Sequence, residues 1–329
     1  KEKEVCEFLN LSIAHQHILS IEKSKNSIKA APKPFNTSKL LQSASNLLHT
    51  NPGQTMSICQ KLYQNGYITY MRTDSTKYAP PFLDNASVYI KEKYGSEYVG
   101  NLDIIKNKDK NNPHEAIRVT NVGMYTISST NSKEVSMYKL IYKNTIESCM
   151  ANATYLNTEI KISAPKIESV SKSVYYSHIL EMPVFLGWKK FTIATLDQTK
   201  ELGMKNYLQT IIGKPVCYNT IESTIVVRNS VSHYSESSLI KKLEDIGIGR
   251  PSTFATIVDT IQERGYVKCL DIEGKKHKFN EYVLKNGILD TTNVEKVFGN
   301  EKSKLQIQQL GLLCIEFLIK YFYHHQKLI

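Results

Sequence analysis

Two apolar-faced helical segments, a Gly-Tyr turn and a short β-prone run occupy residues 36–70, and the same pattern returns 199 positions downstream without a gap. Leu40 answers to Leu239, Ala44 to Leu243, Leu47 to Ile246, Pro52 to Pro251, Ile58 to Ile257, Cys59 to Val258 and Leu62 to Ile261. Gly66 answers to Gly265, Tyr67 to Tyr266 and Ile68 to Val267. The matches fall on helical apolar positions and on punctuation residues, which are what two copies of one helix–turn–helix–strand unit keep. In each copy Pro opens the second helix and Gly supplies its left-handed cap, while Leu40, Ala44, Leu47 and Leu48 share the first helix's buried face. Tyr67–Tyr70 then reads as a strand. We read two winged-helix-like modules. Unrelated amphipathic helix pairs share periodicity by coincidence, but the common Pro and Gly-Tyr offsets argue against that here.

Between the modules, residues 154–229 alternate in short runs such as Thr158–Ile162 and Thr224–Arg228, the pattern of strands. Residues 1–33 hold a short helix, an alternating stretch at His15–Ile21 and a polar basic run, with Pro32 and Pro34 marking a boundary. If these residues share the β-rich domain, the first module is inserted into it. The expected organisation is a multidomain α+β fold: 1–33 and 154–229 as two parts of a β-rich domain, 34–153 as the inserted module, and 230–329 as a second module, incomplete at its C-terminus. With 329 residues, 41% of them hydrophobic, the chain can fill more than one core.

Forty-two basic residues against 31 acidic leave a net charge of +11, which favours polyanionic partners, nucleic acid first. A lysine-rich protein without such a partner has the same balance, so charge alone does not decide. The six cysteines form no Cys-x-x-Cys pair and no Cys/His cluster, which fits a reducing compartment and gives no zinc ribbon or disulfide framework. The longest apolar run, Leu310–Ile319, is too short to span a bilayer, and no signal peptide is evident. A start at Lys1 and an end inside an apolar helical pattern read as an excised segment of a longer protein.

The richest stretch is Gly66–Ser75, GYITYMRTDS. In an extended segment Tyr70, Arg72 and Asp74 project to one side. A phenol, with a pKa near 10, needs a nearby cation and a positioned electrophile to act as a nucleophile. Arg72 can grip a phosphodiester through paired hydrogen bonds, and Asp74 can orient it. An ordinary ion pair beside a half-buried tyrosine has the same spacing. Downstream, His114 sits in HEAIR with Glu115 and Arg118. At Arg250-Pro251-Ser252-Thr253 a helix start could receive a phosphate, or simply be capped.

The run ITYMRTDS at 68–75 resembles the active-site signature of type IA DNA topoisomerases, and three further stretches agree in order: PKPFNTSKLLQSAS at 32–45, HEAIRVT at 114–120 and GIGRPSTFATIVDTIQERGYV at 247–267. Met71 and GRPST resemble the bacterial topoisomerase I branch; reverse gyrases share the signature, but nothing here points to a helicase. The resemblance implies that Tyr70 is the nucleophile linked to a DNA 5′-phosphate, Arg72 a ligand of the scissile phosphate and His114 its positioning histidine. Asp74, Glu115 and Arg118 support them. Thr37, Ser38, Gln42, Arg250, Ser252 and Thr253 would contact DNA. Cys269 and Asp271 replace Tyr70 and Arg72 in the second copy, so only one nucleophile is expected.

The same resemblance implies a toroidal enzyme whose β-rich domain forms an arch; the two crossings between domains place its expected hinges near residues 30–36 and 154–160. Its partners would be single-stranded and negatively supercoiled DNA, with no membrane, in the cytoplasm, nucleoid or a viral replication compartment. Mg²⁺ is implied for the full-length enzyme, held by an upstream Toprim domain whose acidic cluster and lysine are not found in these residues, where no metal ligands are expected. Val119 stands where many relatives have proline. A non-catalytic single-strand-binding module, with Tyr70 as a stacking platform, is the alternative. A major-groove regulator fits less well, because residues 254–264 are too apolar for a recognition helix.

Overall fold

The structure, a computed structural model, describes residues 2–109, 114–168, 173–195, 198–228 and 230–322. In chain order it runs α1 (Glu2–Ala14), β1 (Leu19–Ile21), β2 (Lys25–Lys29), α2 (Thr37–Leu48), α3 (Pro52–Gln64), α4 (Pro80–Tyr94) and α5 (Ser132–Ser148). It continues with β3 (Ala153–Ser163), β4 (Tyr175–Phe185), α6 (Thr199–Thr210), β5 (Thr220–Ser223), α7 (Glu236–Asp245) and α8 (Phe254–Glu263). Strands β6 (Val267–Ile272), β7 (Lys275–Lys285), β8 (Ile288–Phe298) and β9 (Glu301–Ile307) precede α9 (Gln309–Phe322). The contacts divide this mixed α and β chain into two units. One comprises Lys1–Ala30, Asn152–Ser230 and Gly274–Gly299, the other Ala31–Ala151, Val231–Glu273 and Asn300–Ile329.

In the first unit β3 is the organising strand. It pairs antiparallel with β1 and β2 along one edge and with β4 along the other. Leu19 and Ile160 pack with Leu208 of α6, closing a small core over this sheet. A second antiparallel sheet, β5-β7-β8, receives α1, whose Leu9 packs on Ile221, Tyr282 and Leu284. The β7–β8 turn is Asn286-Gly287, both at positive φ (51° and 74°), as the twist of a two-residue hairpin requires.

Three sequence expectations change here. Residues 224–228 form no strand and are exposed, because alternation marks a strand only where one face finds a core. The stretch expected to be β-rich also contains helix α6. Residues 274–299, expected within the second module, make their contacts in the first unit, because the β7–β8 hairpin pairs with β5.

In the second unit both repeat copies are folded by the same local devices. Asn36 caps α2 by accepting from Lys39 N, and Ser235, its counterpart, caps α7 by accepting from Ser238 N. Gly66 and Gly265 sit at φ 73° and 69°, where a Cβ is strained. The amide of Tyr67 returns to Leu62 O at 2.9 Å, as that of Tyr266 returns to Ile261 O at 3.0 Å. Leu40, Ala44, Cys59 and Leu62 are buried, and equivalent helices pack on each other, α2 on α7 and α3 on α8.

The repeat extends beyond its sequence signal. Val119 bridges Ile68 as Ile307 pairs with Val267, so each copy gains a return segment, an isolated bridge in the first and β9 in the second, followed by a helix, α5 or α9. Leu47 and Ile246, matched in the two copies, are 65% and 51% exposed and belong to no core. Pro52 opens α3, whereas α8 starts three residues after Pro251, because a turn in which Thr253 Oγ1 accepts from Arg250 N comes first. Tyr67–Tyr70 forms a single bridge at Ile68 and no regular strand.

Glu147 of α5 is 4% exposed, and its Oε1 has no hydrogen-bond partner among the described residues; Lys143 Nζ lies 3.9 Å away. Burial raises its pKa to about 7, against the lowering effect of Lys143. A raised native pKa stabilises the fold fully below the unfolded value, near 4.5, and this contribution is lost as pH rises through 7. Glu147→Gln is therefore expected to match wild type in thermal unfolding at pH 4.5 and to exceed it at pH 8.5, by about 1–3 kcal/mol. Equal stability at the higher pH would show that the carboxylate is not desolvated.

Candidate active site

The turn at Gly66 ends α3 and sends the chain past the return segment at 114–120. Thr69 fastens the two: its amide donates to Arg118 O (2.9 Å), its hydroxyl donates to Ala116 O (3.0 Å), and it accepts from Arg118 N (3.0 Å). Beyond it burial alternates, with Met71 and Thr73 inside and Tyr70, Arg72 and Asp74 outside, as an extended run requires. Tyr70 is 42% exposed.

Tyr70, His114 and Glu115 line one cavity of about 390 Å³, together with Tyr63, Gly66, Ile68, Thr69, Thr73 and Thr120. The Tyr63 ring stands edge-on to Tyr70 at 5.3 Å between centroids. The sequence reading missed Tyr63; its only signal was an aromatic on the polar face of α3, ahead of the Gly66 turn.

Glu115 and Arg118 form a two-pronged ion pair, Nε to Oε2 at 2.9 Å and the second guanidinium nitrogen to Oε1 at 3.0 Å. The guanidinium stacks 4.1 Å from the Phe82 ring centroid, and Glu115 also accepts from Ala79 N at 3.4 Å. Both side chains are thus committed to fastening the segment that carries His114.

Asp74 does not pair with Arg72: among the described residues Arg72 forms no ion pair. An exposed pair is worth at most about 1 kcal/mol, too little to fix two solvated side chains. Asp74 instead lines a neighbouring cavity of about 130 Å³ with Ser38, Thr73, Glu244 and Arg250. Thr73 borders both cavities, so residues from both repeat copies meet beside the Tyr70 segment.

The residues expected at DNA divide by burial. Arg250, Ser252 and Thr253 are exposed, but the Thr253 hydroxyl is engaged with Arg250 N and O, and the Arg250 guanidinium folds back to Gly249 O at 2.8 Å. These bonds close the turn ahead of α8, and the N-cap Thr253 makes no side-chain capping bond to the helix. Thr37 and Ser38 are each 1% exposed, and Gln42 donates to Ser38 Oγ at 3.1 Å. Thr37 consequently has no free surface to offer a strand, since the helix N-terminus that carries it is packed against Met71–Thr73.

Among the described residues no group of three or more His, Cys, Asp or Glu side chains could hold a metal ion. These residues therefore do not fit the Mg²⁺ that the resemblance implies. No helix among them is long and apolar enough to cross a membrane.

A family model described as DNA topoisomerase matches residues 1–276. The chain is 32% identical to "DNA topoisomerase 1 type prokaryotic" of Acanthamoeba polyphaga mimivirus over 97% of its own length and 39% of that protein's. It is 35% identical to DNA topoisomerase 1 of Buchnera aphidicola from Acyrthosiphon pisum, over 84% of this chain and 30% of the relative. The solved structure of full-length topoisomerase I from Thermotoga maritima matches with a TM-score of 0.63 and 26% identity, covering 98% of this chain and 48% of that one. The chain thus spans less than half the length of these relatives.

Proposed function

This chain belongs to the DNA topoisomerase family, in its type IA, topoisomerase I-like branch, and we propose that it carries the strand-cleaving tyrosine of such an enzyme, Tyr70. The observation that supports this reading is the exposed Tyr70 sharing a cavity with His114, in register with exposed Arg72. The phenolic oxygen attacks a backbone phosphorus, the P–O3′ bond breaks, and the phenolic proton is balanced by protonation of the departing 3′ oxygen. Arg72 offsets phosphoryl charge and His114 positions the phosphate. The phosphotyrosyl bond retains the energy of the phosphodiester, so the strand is resealed without ATP after another strand passes. Negatively supercoiled DNA is the substrate whose strain drives the change.

In this reading the two repeat copies are winged-helix-like modules, the first unit is the β-rich arch, and Mg²⁺ with its acidic ligands belongs to a Toprim domain outside these residues. DNA is held chiefly as single strand, through phosphate contacts at the exposed Arg72, Arg250 and Ser252. Affinity for a labelled single strand is expected to fall steeply with salt, about 0.7 log unit in binding constant per phosphate contact for each decade of salt. A flat salt dependence, or preference for intact duplex, would overturn the single-strand assignment.

One observation favours the non-catalytic alternative. Tyr63 and Tyr70 are each 42% exposed and adjacent, a surface on which bases can stack without chemistry. Covalent capture of labelled DNA separates the two readings, since stacking leaves nothing attached after denaturation.

A further inference from the structure

Thr37 begins α2, and both its hydroxyl and its amide bond to one neighbouring stretch. Its one hydroxyl proton is shared between Met71 O (2.7 Å) and Thr73 O (3.1 Å), and the hydroxyl oxygen accepts from Thr73 N (2.9 Å). Its amide donates to Thr73 O at 2.9 Å. One buried residue thus holds the backbone on both sides of Arg72, two residues beyond Tyr70.

The second repeat copy is an internal control. Glu236 stands at the position of Thr37 and Ile272 at that of Thr73. The Glu236 carboxylate accepts from Gln262 Nε2 instead. There the chain after the Gly-Tyr turn stays in the ladder as β6, paired with β9 from Val267–Ile307 to Ile272–Glu301. In the first copy the ladder shrinks to the single bridge Ile68–Val119, and Met71 and Thr73 turn inward onto α2. The same frame gives a paired strand without the hydroxyl and a diverted, outward-facing segment with it.

We propose that Thr37 is a positioning residue: it draws Met71–Thr73 off the strand ladder onto the start of α2, and so sets the direction in which Arg72 and Tyr70 are presented. The inference rests on the reading of Tyr70 and Arg72 as cleavage residues. Removing the hydroxyl leaves Thr73 N–H and Met71 C=O without their buried partner, a loss that favours opening of this segment over the rest of the unit.

Thr37→Val keeps the shape and removes the hydroxyl; Thr37→Ser keeps the hydroxyl. In limited trypsin digestion of this chain, Val is expected to speed cleavage of the Arg72–Thr73 bond about tenfold while cleavage after Arg118 is unchanged, and Ser is expected to behave as wild type. In a full-length topoisomerase carrying these residues, Val is expected to slow single-turnover adduct formation by about 10²-fold, with oligonucleotide affinity nearly retained and Ser restoring the rate. Unchanged trypsin cleavage with Val, or faster cleavage with no loss of adduct, would overturn the proposal, as would a Ser variant as impaired as Val. Absence of adduct with Thr37 in place overturns the cleavage reading itself, while the trypsin result still reports whether Thr37 holds the segment.

Discussion

In a full-length topoisomerase carrying these residues, Tyr70→Phe is expected to yield no covalent DNA adduct while binding single-stranded DNA almost as wild type does. Only a hydroxyl is removed, and the ring keeps its edge contact with Tyr63. Since no alternative oxygen is delivered at that position, cleavage falls below detection instead of slowing by a factor. Arg72→Ala is expected to weaken both steps. The guanidinium has no intramolecular ion pair to lose among the described residues, so its effect is on the bound phosphate. The measurement is denaturing electrophoresis of a labelled oligonucleotide, with a filter or polarisation assay for affinity. An adduct formed by the Phe variant would assign the nucleophile elsewhere, and the exposed Tyr63 would be tested next.

The 329-residue chain by itself is expected to bind single-stranded DNA and fail to relax negatively supercoiled plasmid, with Mg²⁺ supplied. On the proposed reading Tyr70, Arg72 and His114 supply a nucleophile and phosphate contacts, but among the described residues no acidic cluster is arranged for a metal. Nor, among the described residues, does any lysine line the cavity that holds Tyr70. Positioned acid–base assistance contributes roughly 10² to 10⁴ in rate, and metal stabilisation of developing charge adds about several kcal/mol. Losing both places turnover beneath a plasmid assay. Supplying a Toprim domain, fused or in trans, is expected to restore relaxation that disappears with Tyr70→Phe. Robust relaxation by the chain alone would mean that the acid and metal functions lie within these residues.

The two copies of the helix–turn–helix unit, their caps and the outward register of Tyr70, Arg72 and Asp74 were legible in the sequence because each follows from local rules. Helical periodicity, proline and glycine backbone limits and strand alternation act within a few residues. The Asn286-Gly287 dipeptide is an equally local hairpin signal, but the place of residues 274–299 in the first unit depends on the pairing of that hairpin with β5. What the sequence could not decide were outcomes set by long-range partners. Alternation at 224–228 found no sheet, and Asp74 found Ser38 and Arg250 beside its cavity instead of Arg72. The return segment at 114–120 was recognisable by its family motif but not as a partner of Ile68, because pairing across some fifty residues leaves no periodic trace. Thr37 is the sharpest case: as a residue type it belongs equally to a DNA surface and to a buried cap. Only the packing of α2 against Met71–Thr73 turned its hydroxyl inward, since a buried peptide group without a partner costs more than a surface hydroxyl gains.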